Sequence, residues 1–296
     1  HRPATGGGPP PRGAGRRRDA QMAPPPRAAR PAARPPPTTW QDPCMVIPSV
    51  LPEGPTTGTP FETGWPVRLA DTDGEQHLRL DAIARYLQDI GFEHLDAVDD
   101  GDAHPGWVVR RTVIDVLKPI LFGERVTLRR WCSGLSNRWC NMRVQIVGSG
   151  GGLVETEAFL IHFGTESGLP ARMSDRFMAP MLAATTEHRL RWKAALTEPA
   201  PRIDAADIQV RPFPLRITDI DMLDHVNNSV YLSGVEEILA EHHDLKTGAH
   251  RTVIEYAKPL KSGDQVALVA QRTGTDLDIW FTVGGETHAV TRVLPL

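Results

Sequence analysis

The sequence predicts an α+β fold in which one domain type occurs twice within 296 residues. Two observations carry this prediction. Similar stretches recur in the same order in both halves, and each half has one apolar-periodic helical segment followed by four or five strand-like segments. We expect residues 61–183 and 211–296 to form the two domains, each an antiparallel sheet that wraps its own long helix. Residues 184–210 are expected to be a linker with a short helical piece around Glu187–Leu196.

The repeat is visible over two stretches that align without gaps. Residues 67–77 match residues 215–225 at an offset of 148 positions, and residues 111–119 match residues 251–259 at an offset of 140. Two ordered matches with a small change of offset indicate a duplicated domain with a longer loop in its first copy.

The order of predicted elements is the same in both copies. Each copy opens with a short strand, Val67–Leu69 or Leu215–Ile217, and a polar loop. Apolar residues at helical spacing follow, over residues 80–90 and 230–239. The later segments are rich in β-branched and aromatic residues, which predicts strands. They cover residues 107–116, 125–132, 140–147, 155–163, 252–257, 265–271, 276–283 and 286–293.

The first sixty residues have a different composition from the rest of the chain. They hold sixteen of the 27 prolines, and eight arginines lie between positions 1 and 40. Such a segment buries too little apolar surface to offset the entropy lost on ordering, so residues 1–60 are expected to be a disordered tail without catalytic role. The chain begins at His1, and Met45 is an alternative start.

Composition argues against several classes of protein. No apolar run approaches the roughly 18 residues of a membrane span, and a net charge of −3 does not indicate a nucleic-acid partner. The three cysteines, Cys44, Cys132 and Cys140, have neither metal-ligand spacing nor a disulfide pattern. We therefore expect a cytoplasmic protein without metal or other cofactor.

The stretch from Asp219 to Tyr231 concentrates three acids, a histidine and two asparagines directly before the second helix. Asp219 is expected to structure the loop. The first copy keeps the frame of two aspartates and a histidine, but Arg79-Leu80 stands where the second copy has Asn227-Asn228. The loss of both amides indicates a degenerate site in the first copy.

A strand, then Asp-x-Asp-x-x-x-His-Val-Asn-Asn-x-x-Tyr, then a helix resembles the hot-dog fold thioesterases. The duplication resembles the tandem (double) hot-dog arrangement of the acyl-acyl-carrier-protein (acyl-ACP) thioesterases. Trp107–Arg110, Gly123–Val126 and Gly168–Arg172 are similar to that family as well, and the resemblance covers about residues 61–296. It implies hydrolysis of fatty acyl thioesters of acyl carrier protein in fatty acid biosynthesis. The first domain would bind the acyl chain and the second would be catalytic.

The chain departs from the plant enzymes of this family at two places. Leu223 stands where they carry an asparagine two residues before the histidine. In the segment Tyr256–Leu260, the chain reads Ala-Lys-Pro-Leu where they carry a Glu-Cys pair. A cysteine nucleophile is therefore not expected.

Thioester hydrolysis needs an activated water or a carboxylate nucleophile, together with donors for the developing oxyanion. A helix N-terminus supplies unpaired N–H groups and the positive end of the helix dipole. We expect Asp221 to be the general base or nucleophile and His225 its partner in polarising water or substrate. Asn227 is expected to act with them, capping the helix or donating to the carbonyl. Asn228 and Asp224 are expected to contact the substrate, and Asp224 is the alternative base because it adjoins His225.

Two other functions stay open on the sequence. One is an acyl-CoA thioesterase, and the other is a non-catalytic binder of acyl thioesters, which Leu223 favours. A basic patch near the second helix would favour the acidic carrier protein, with Arg251, Lys258 and Lys261 as candidates. The sequence does not distinguish a monomer from a homodimer. A monomer fits the duplication, because one chain then supplies two hot-dog domains.

Overall fold

The computed structural model describes residues 51, 54–55, 58–185, 187–205 and 207–296. The predicted disordered tail, residues 1–60, therefore lies for the most part outside the described residues. None of the helices in the described part of the chain is long and apolar enough to cross a membrane. The helices are α1 (Leu80–Ala97), α2 (Asp175–Ala184), α3 (Asn228–Leu239) and α4 (His243–Thr247). The strands are β1 (Phe61–Pro66), β2 (Trp107–Lys118), β3 (Arg125–Leu135), β4 (Trp139–Gly148), β5 (Leu153–His162), β6 (Ile208–Phe213), β7 (His250–Tyr256), β8 (Val266–Thr273), β9 (Asp276–Val283) and β10 (Glu286–Pro295).

All ten strands join one antiparallel sheet in the order β1-β3-β4-β5-β2-β7-β10-β9-β8-β6. The first five strands in this order come from the first copy and the last five from the second, and β2 pairs with β7 at the centre. The long helices α1 and α3 contact each other and share one apolar core with the sheet. This arrangement confirms the predicted α+β tandem hot-dog fold.

The long helices form on the sheet because each buries an apolar stripe. In α1, Ile83 and Ile90 are fully buried, and in α3 Val235 and Ile238 are. Gly234 lets α3 approach closely, since a Cβ atom there would lie 2.9 Å from the ring of Phe281. A larger residue at this position would push the helix away from the sheet.

The two short opening strands were predicted in the wrong place. The first strand of each copy lies earlier in the chain, at β1 and β6. Val67–Leu69 and Leu215–Ile217 instead lead into 3₁₀ turns at Leu69–Asp71 and Ile217–Asp219. In each turn the carboxylate at the end accepts a hydrogen bond from the backbone N–H three residues earlier, which closes the turn.

The predicted helical piece at Glu187–Leu196 is also wrong, because the described residues of this segment form no helix. Leu196 packs in the apolar cluster on the face of the sheet opposite α1 and α3. The backbone N–H groups of Ala195 and Leu196 donate to the Glu255 carboxylate of β7, at 2.9 and 3.2 Å. The sheet therefore supplies the polar partners that a helix would have supplied within itself.

The second repeated stretch forms the join between the two halves. Its copies in β2 and β7 pair antiparallel, so each arginine meets the acid of the other copy. Arg111 bonds Glu255 at 2.9 Å, and Arg251 bonds both oxygens of Asp115 at 2.6 Å. All four side chains are buried. The similarity that indicates duplication in the sequence is thus also the centre of the interface between the halves.

Candidate active site

The loop before α3 is a tight turn that fixes a carboxylate at the start of the helix. The N–H of Asp221 donates to the carbonyl of His225 at 2.9 Å, and the N–H of Asp224 donates to the carbonyl of Asp221 at 3.0 Å. Asp224 takes a left-handed backbone conformation, with φ 58°, which aspartate tolerates better than most residues. The Asp221 carboxylate itself accepts from the N–H of Leu223 at 2.9 Å.

Asn227 caps α3 and connects it to the first half of the protein. Its side-chain oxygen accepts from the N–H of Ser229 at 3.0 Å. Its amide nitrogen donates to Asp221 at 3.3 Å, and a reciprocal pair of 3.0 Å hydrogen bonds joins its amide to that of Gln88 in α1. Both amide hydrogens are thus used within the protein. In this arrangement Asn227 orients Asp221 and has no hydrogen left for a substrate.

The side chains of the other predicted site residues form no hydrogen bonds within the described part of the chain. Within the described part of the chain, the imidazole of His225 and the amide of Asn228 have no hydrogen-bond partner. Both side chains are half-buried at the start of α3, whereas Asp224 is exposed. The turn brings His225 and Asp221 together through their backbones, and no side-chain hydrogen bond joins them.

The segment that carries a Glu-Cys pair in the plant enzymes lies directly beside the turn. The carbonyl of Leu260 accepts from the N–H of Val226 at 2.9 Å, and its N–H donates to the hydroxyl of Tyr231 at 3.0 Å. Burial raises the pKa of Tyr231 to about 12, so this hydroxyl stays neutral. The side chain of Leu260 is fully buried and apolar. This position therefore supplies no reacting group.

Two residues that the sequence did not assign to the site, Gln88 and Glu236, each contact the start of the long helix in the other half. Gln88 meets Asn227, and Glu236 of α3 accepts from the N–H of Leu80 at 2.7 Å, at the start of α1. Burial raises the pKa of Glu236. Both residues lie nine positions after the cap of their own helix, and the repeat offset of 148 relates them. The repeat relates these two positions in the sequence, but only the packing of α1 against α3 shows that each faces the other half.

In the first half, the loop equivalent to this turn already contains an ion pair. Asp73 accepts from the N–H groups of Glu75 and His77, both at 2.9 Å, and from the ammonium of Lys246 at 2.9 Å. Burial raises the pKa of Asp73, but the hydrogen bonds from Lys246 and from the backbone outweigh it, so the net shift is downward. Asp221 has no such ion pair with any described residue. That the first half holds a degenerate site remains a prediction, and this difference between Asp73 and Asp221 supports it.

The same three side chains of the first loop could hold a cation. Potential ligand atoms of Asp73, Glu75 and His77 lie within 4.8 Å of one another. The ammonium of Lys246 already supplies the positive charge that such a cluster attracts. The arrangement thus gives no reason to assign a metal, and its predicted absence stays a prediction.

The structure changes which residues can belong to the predicted basic patch. Arg251 was wrongly included, because it is buried in the sheet and bonds Asp115. Lys258 is exposed but pairs with Glu286. Lys261 is exposed and follows Leu260 directly. The side chain of Arg216, before the turn, is 71% exposed but pairs with Asp219.

Comparisons with known proteins cover both halves. The family models for the acyl-ACP thioesterase N-terminal and C-terminal domains match residues 58–181 and 204–290. An uncharacterized protein of Mycobacterium tuberculosis is 43% identical over 239 residues, which are 81% of this chain and 93% of the relative. The 12:0-ACP thioesterase from Umbellularia californica has a similar fold (TM-score 0.61, 16% identity, 80% of this chain and 97% of that chain). An acyl-ACP thioesterase from Bacteroides thetaiotaomicron does too (TM-score 0.61, 13% identity, 79% and 96%). With matches over both duplicated halves, the chain belongs to the acyl-ACP thioesterase family and is a thioester hydrolase.

Proposed function

We propose that this hydrolase releases free fatty acids from acyl carrier protein in fatty acid biosynthesis, with its reaction centre at Asp221. The observation that carries the proposal is a carboxylate held at the N-terminus of α3 without a cation partner among the described residues. The family and its named relatives support the acyl-ACP substrate. The non-catalytic binder is set aside, because the chain belongs to a family of thioester hydrolases.

Asp221 would act either by taking a proton from an attacking water or by adding to the carbonyl carbon itself. In the first route the tetrahedral intermediate loses the thiolate, a good leaving group, and the fatty acid is released directly. In the second route loss of the thiolate leaves an anhydride between the acyl group and Asp221, which a water molecule then hydrolyses to the fatty acid and the free carboxylate. His225 and Asn228, whose side-chain polar atoms have no hydrogen-bond partner within the described structure, would polarise the carbonyl at the positive end of the α3 dipole. Asn227 would position Asp221, and exposed Asp224 would contact the carrier-bearing part of the substrate.

The contact between Gln88 and Asn227 makes the reaction centre depend on both halves. Replacing Gln88 with leucine removes the reciprocal amide pair, so Asn227 no longer holds Asp221 in one orientation. We expect kcat to fall about 10- to 100-fold, the size of a small misplacement of a reacting group. KM should change little, because Gln88 contacts Asn227 rather than the substrate. Steady-state thiol release measures both constants.

The control for this change is Asp89→Asn, at the neighbouring exposed position of α1. It should leave kcat unchanged. An unaltered kcat in Gln88→Leu as well, with both variants folded, would show that the amide pair has no part in positioning Asp221.

One exposed cation beside the turn, Lys261, supports the carrier protein over CoA. Lys261 follows Leu260, whose backbone bonds the turn, whereas Arg216, before the turn, already pairs with Asp219. An acidic carrier protein would be steered towards such a surface, and the effect would weaken with salt.

The experiment compares one acyl chain on two carriers, acyl carrier protein and CoA, at several salt concentrations. Lys261→Glu should lower kcat/KM for acyl-ACP about 10-fold or more, the scale of a steering effect, and change it little for acyl-CoA. Asp264→Asn serves as control, because the half-buried Asp264 carboxylate accepts from the N–H of Lys261 and its replacement leaves the Lys261 charge in place. Equal kcat/KM for both carriers in every variant would favour the acyl-CoA thioesterase instead.

A further inference from the structure

Arg130 places a cation on the inner side of the first half. Side chains alternate along β3, and Leu128 and Cys132, two positions on either side, are buried in the apolar clusters of the first half. Arg130 lies between them on the same face, and its neighbours across the sheet are Phe61 of β1 and Val144 of β4. The side chain is half-buried. A guanidinium is thus directed towards the face that packs against α1.

The partner of Arg130 in this position is a neutral imidazole. Its Nη1 atom donates to Nδ1 of His94 in α1 at 2.6 Å. Burial and the charge of Arg130 lower the pKa of His94 to about 3, so the ring is uncharged near neutral pH, and the hydrogen bond from Arg130 selects the tautomer without a proton on Nδ1. The ring of Phe61 stacks on His94, with centroids 4.6 Å apart. His94 is therefore fixed in place as an acceptor, but it supplies no negative charge.

The other arginines buried in the sheet have carboxylate partners, which makes Arg130 different. Arg111 pairs with Glu255, and Arg143 with Glu155. No carboxylate of the described residues forms an ion pair with Arg130. A guanidinium has five N–H donors, and the one hydrogen bond found here uses only one of them. None of the Arg130 nitrogens is among the buried atoms without a partner in the described structure, so the remaining donors are accessible to an anion or another oxygen acceptor.

This site is linked to the reaction centre by α1. Gln88 of α1 bonds Asn227 beside Asp221, and His94 follows Gln88 by six residues. At 1.5 Å per residue, this is a rise of about 9 Å along the helix axis, and it is a lower bound for the separation because the two residues lie about 120° apart around the axis. An extended chain therefore needs at least roughly eight bonds, at about 1.2 Å per bond. Ile90 of α1 and Leu128 of β3, both fully buried, give the intervening face an apolar character.

We propose that Arg130 binds a carboxylate at the far end of the acyl group, so that the preferred substrates include medium-length acyl chains with an ω-carboxyl group. The proposal rests on the proposed function for the position of the thioester. The same chemistry could come from the carboxylate of a separate fatty acid, and the experiment below distinguishes the two sources.

The first measurement compares kcat/KM for octanoyl-CoA and decanoyl-CoA with the CoA monothioesters of octanedioic and decanedioic acid. Arg130→Met should lower kcat/KM for the ω-carboxy substrates about 10- to 150-fold, the size of a hydrogen bond to a charged group. It should leave the plain chains unchanged or improve them. Arg129→Met is the matched control, because Arg129 is the adjacent residue of β3 and its side chain faces the other way, towards Glu62. It should not alter the ratio between the two substrate types.

The second measurement does not depend on turnover. Calorimetric affinities of non-hydrolysable thioether analogues, with and without the ω-carboxyl group, should differ in the wild type and become equal in Arg130→Met. Arg130→Met should fold, since removing an uncompensated charge does not weaken a core, and thermal unfolding checks this.

The outcomes separate the two proposals. Absence of thiol release from these CoA thioesters and from the corresponding acyl-ACP substrates, with an affinity difference that Arg130→Met abolishes, would refute the proposed function and support the carboxylate site. Thiol release with the same ratio of plain to ω-carboxy substrates in wild type and Arg130→Met would refute the site and leave the proposed function intact. Binding of free octanedioate that requires Arg130, without any effect on that ratio, would assign the site to a separate fatty acid and overturn the proposal.

Discussion

Asp221→Asn is expected to lower the rate of thioester hydrolysis about 10²- to 10⁴-fold, the usual contribution of a positioned acid or base. Asparagine has almost the same shape as aspartate and keeps an oxygen that can accept from the N–H of Leu223. It cannot take a proton from water or add to a carbonyl carbon. The fold should therefore persist while the chemistry is lost. Thiol release under saturating substrate, together with thermal unfolding, measures the two effects separately.

The matched control is Asp73→Asn, at the equivalent position of the first copy. Asp73 pairs with Lys246, so its replacement should cost stability and leave kcat close to the wild-type value. The reverse pattern, with activity lost in Asp73→Asn and kept in Asp221→Asn, would place the reaction centre in the first half. It would also show that the Lys246 ion pair does not inactivate a carboxylate.

Arg251→Met is expected to lower the free energy of unfolding by about 3–5 kcal/mol, the cost of leaving a buried charge without its partner. The change leaves the carboxylate of Asp115 in the middle of the sheet, where Arg251 now bonds both of its oxygens at 2.6 Å. Because β2 and β7 join the halves, the loss should appear in one cooperative transition. Equilibrium unfolding in urea measures it.

A double variant separates the charge from the packing. Arg251→Met combined with Asp115→Leu removes both charges and fills the same space with apolar atoms, so it should recover most of the lost stability. If the double variant is as unstable as the single one, the ion pair matters through its shape rather than its charge. The symmetric pair of Arg111 and Glu255, which also bonds the linker, provides a second test of the same principle.

The fold, and the turn that holds Asp221 at the start of α3, could be predicted from the sequence because their signals are local. Apolar spacing predicted α1 and α3, alternation predicted the strands after each helix, and Asn227 marked the start of α3 as a cap residue. The repeat extended the prediction to the whole architecture, since each copy supported the other. The short opening strands were wrong because three or four apolar residues do not distinguish a strand from the approach to a turn.

The tertiary structure alone decided the contacts between residues far apart in the chain. Gln88 and Asn227 are separated by 139 positions, and no local pattern relates an amide in the middle of one helix to the cap of another. Arg251 was expected on the surface and is buried, because its carboxylate partner lies in the other half. Arg130 is distinguished by the charges that are missing around it within the described structure, which a linear sequence does not show. The sequence by itself determined the two hot-dog halves and the turn at Asp221, since hydrophobic periodicity and helix capping act between near neighbours. Packing α1 against α3 and joining β2 to β7 decided which polar groups are paired, and thereby which remain free to act on a substrate.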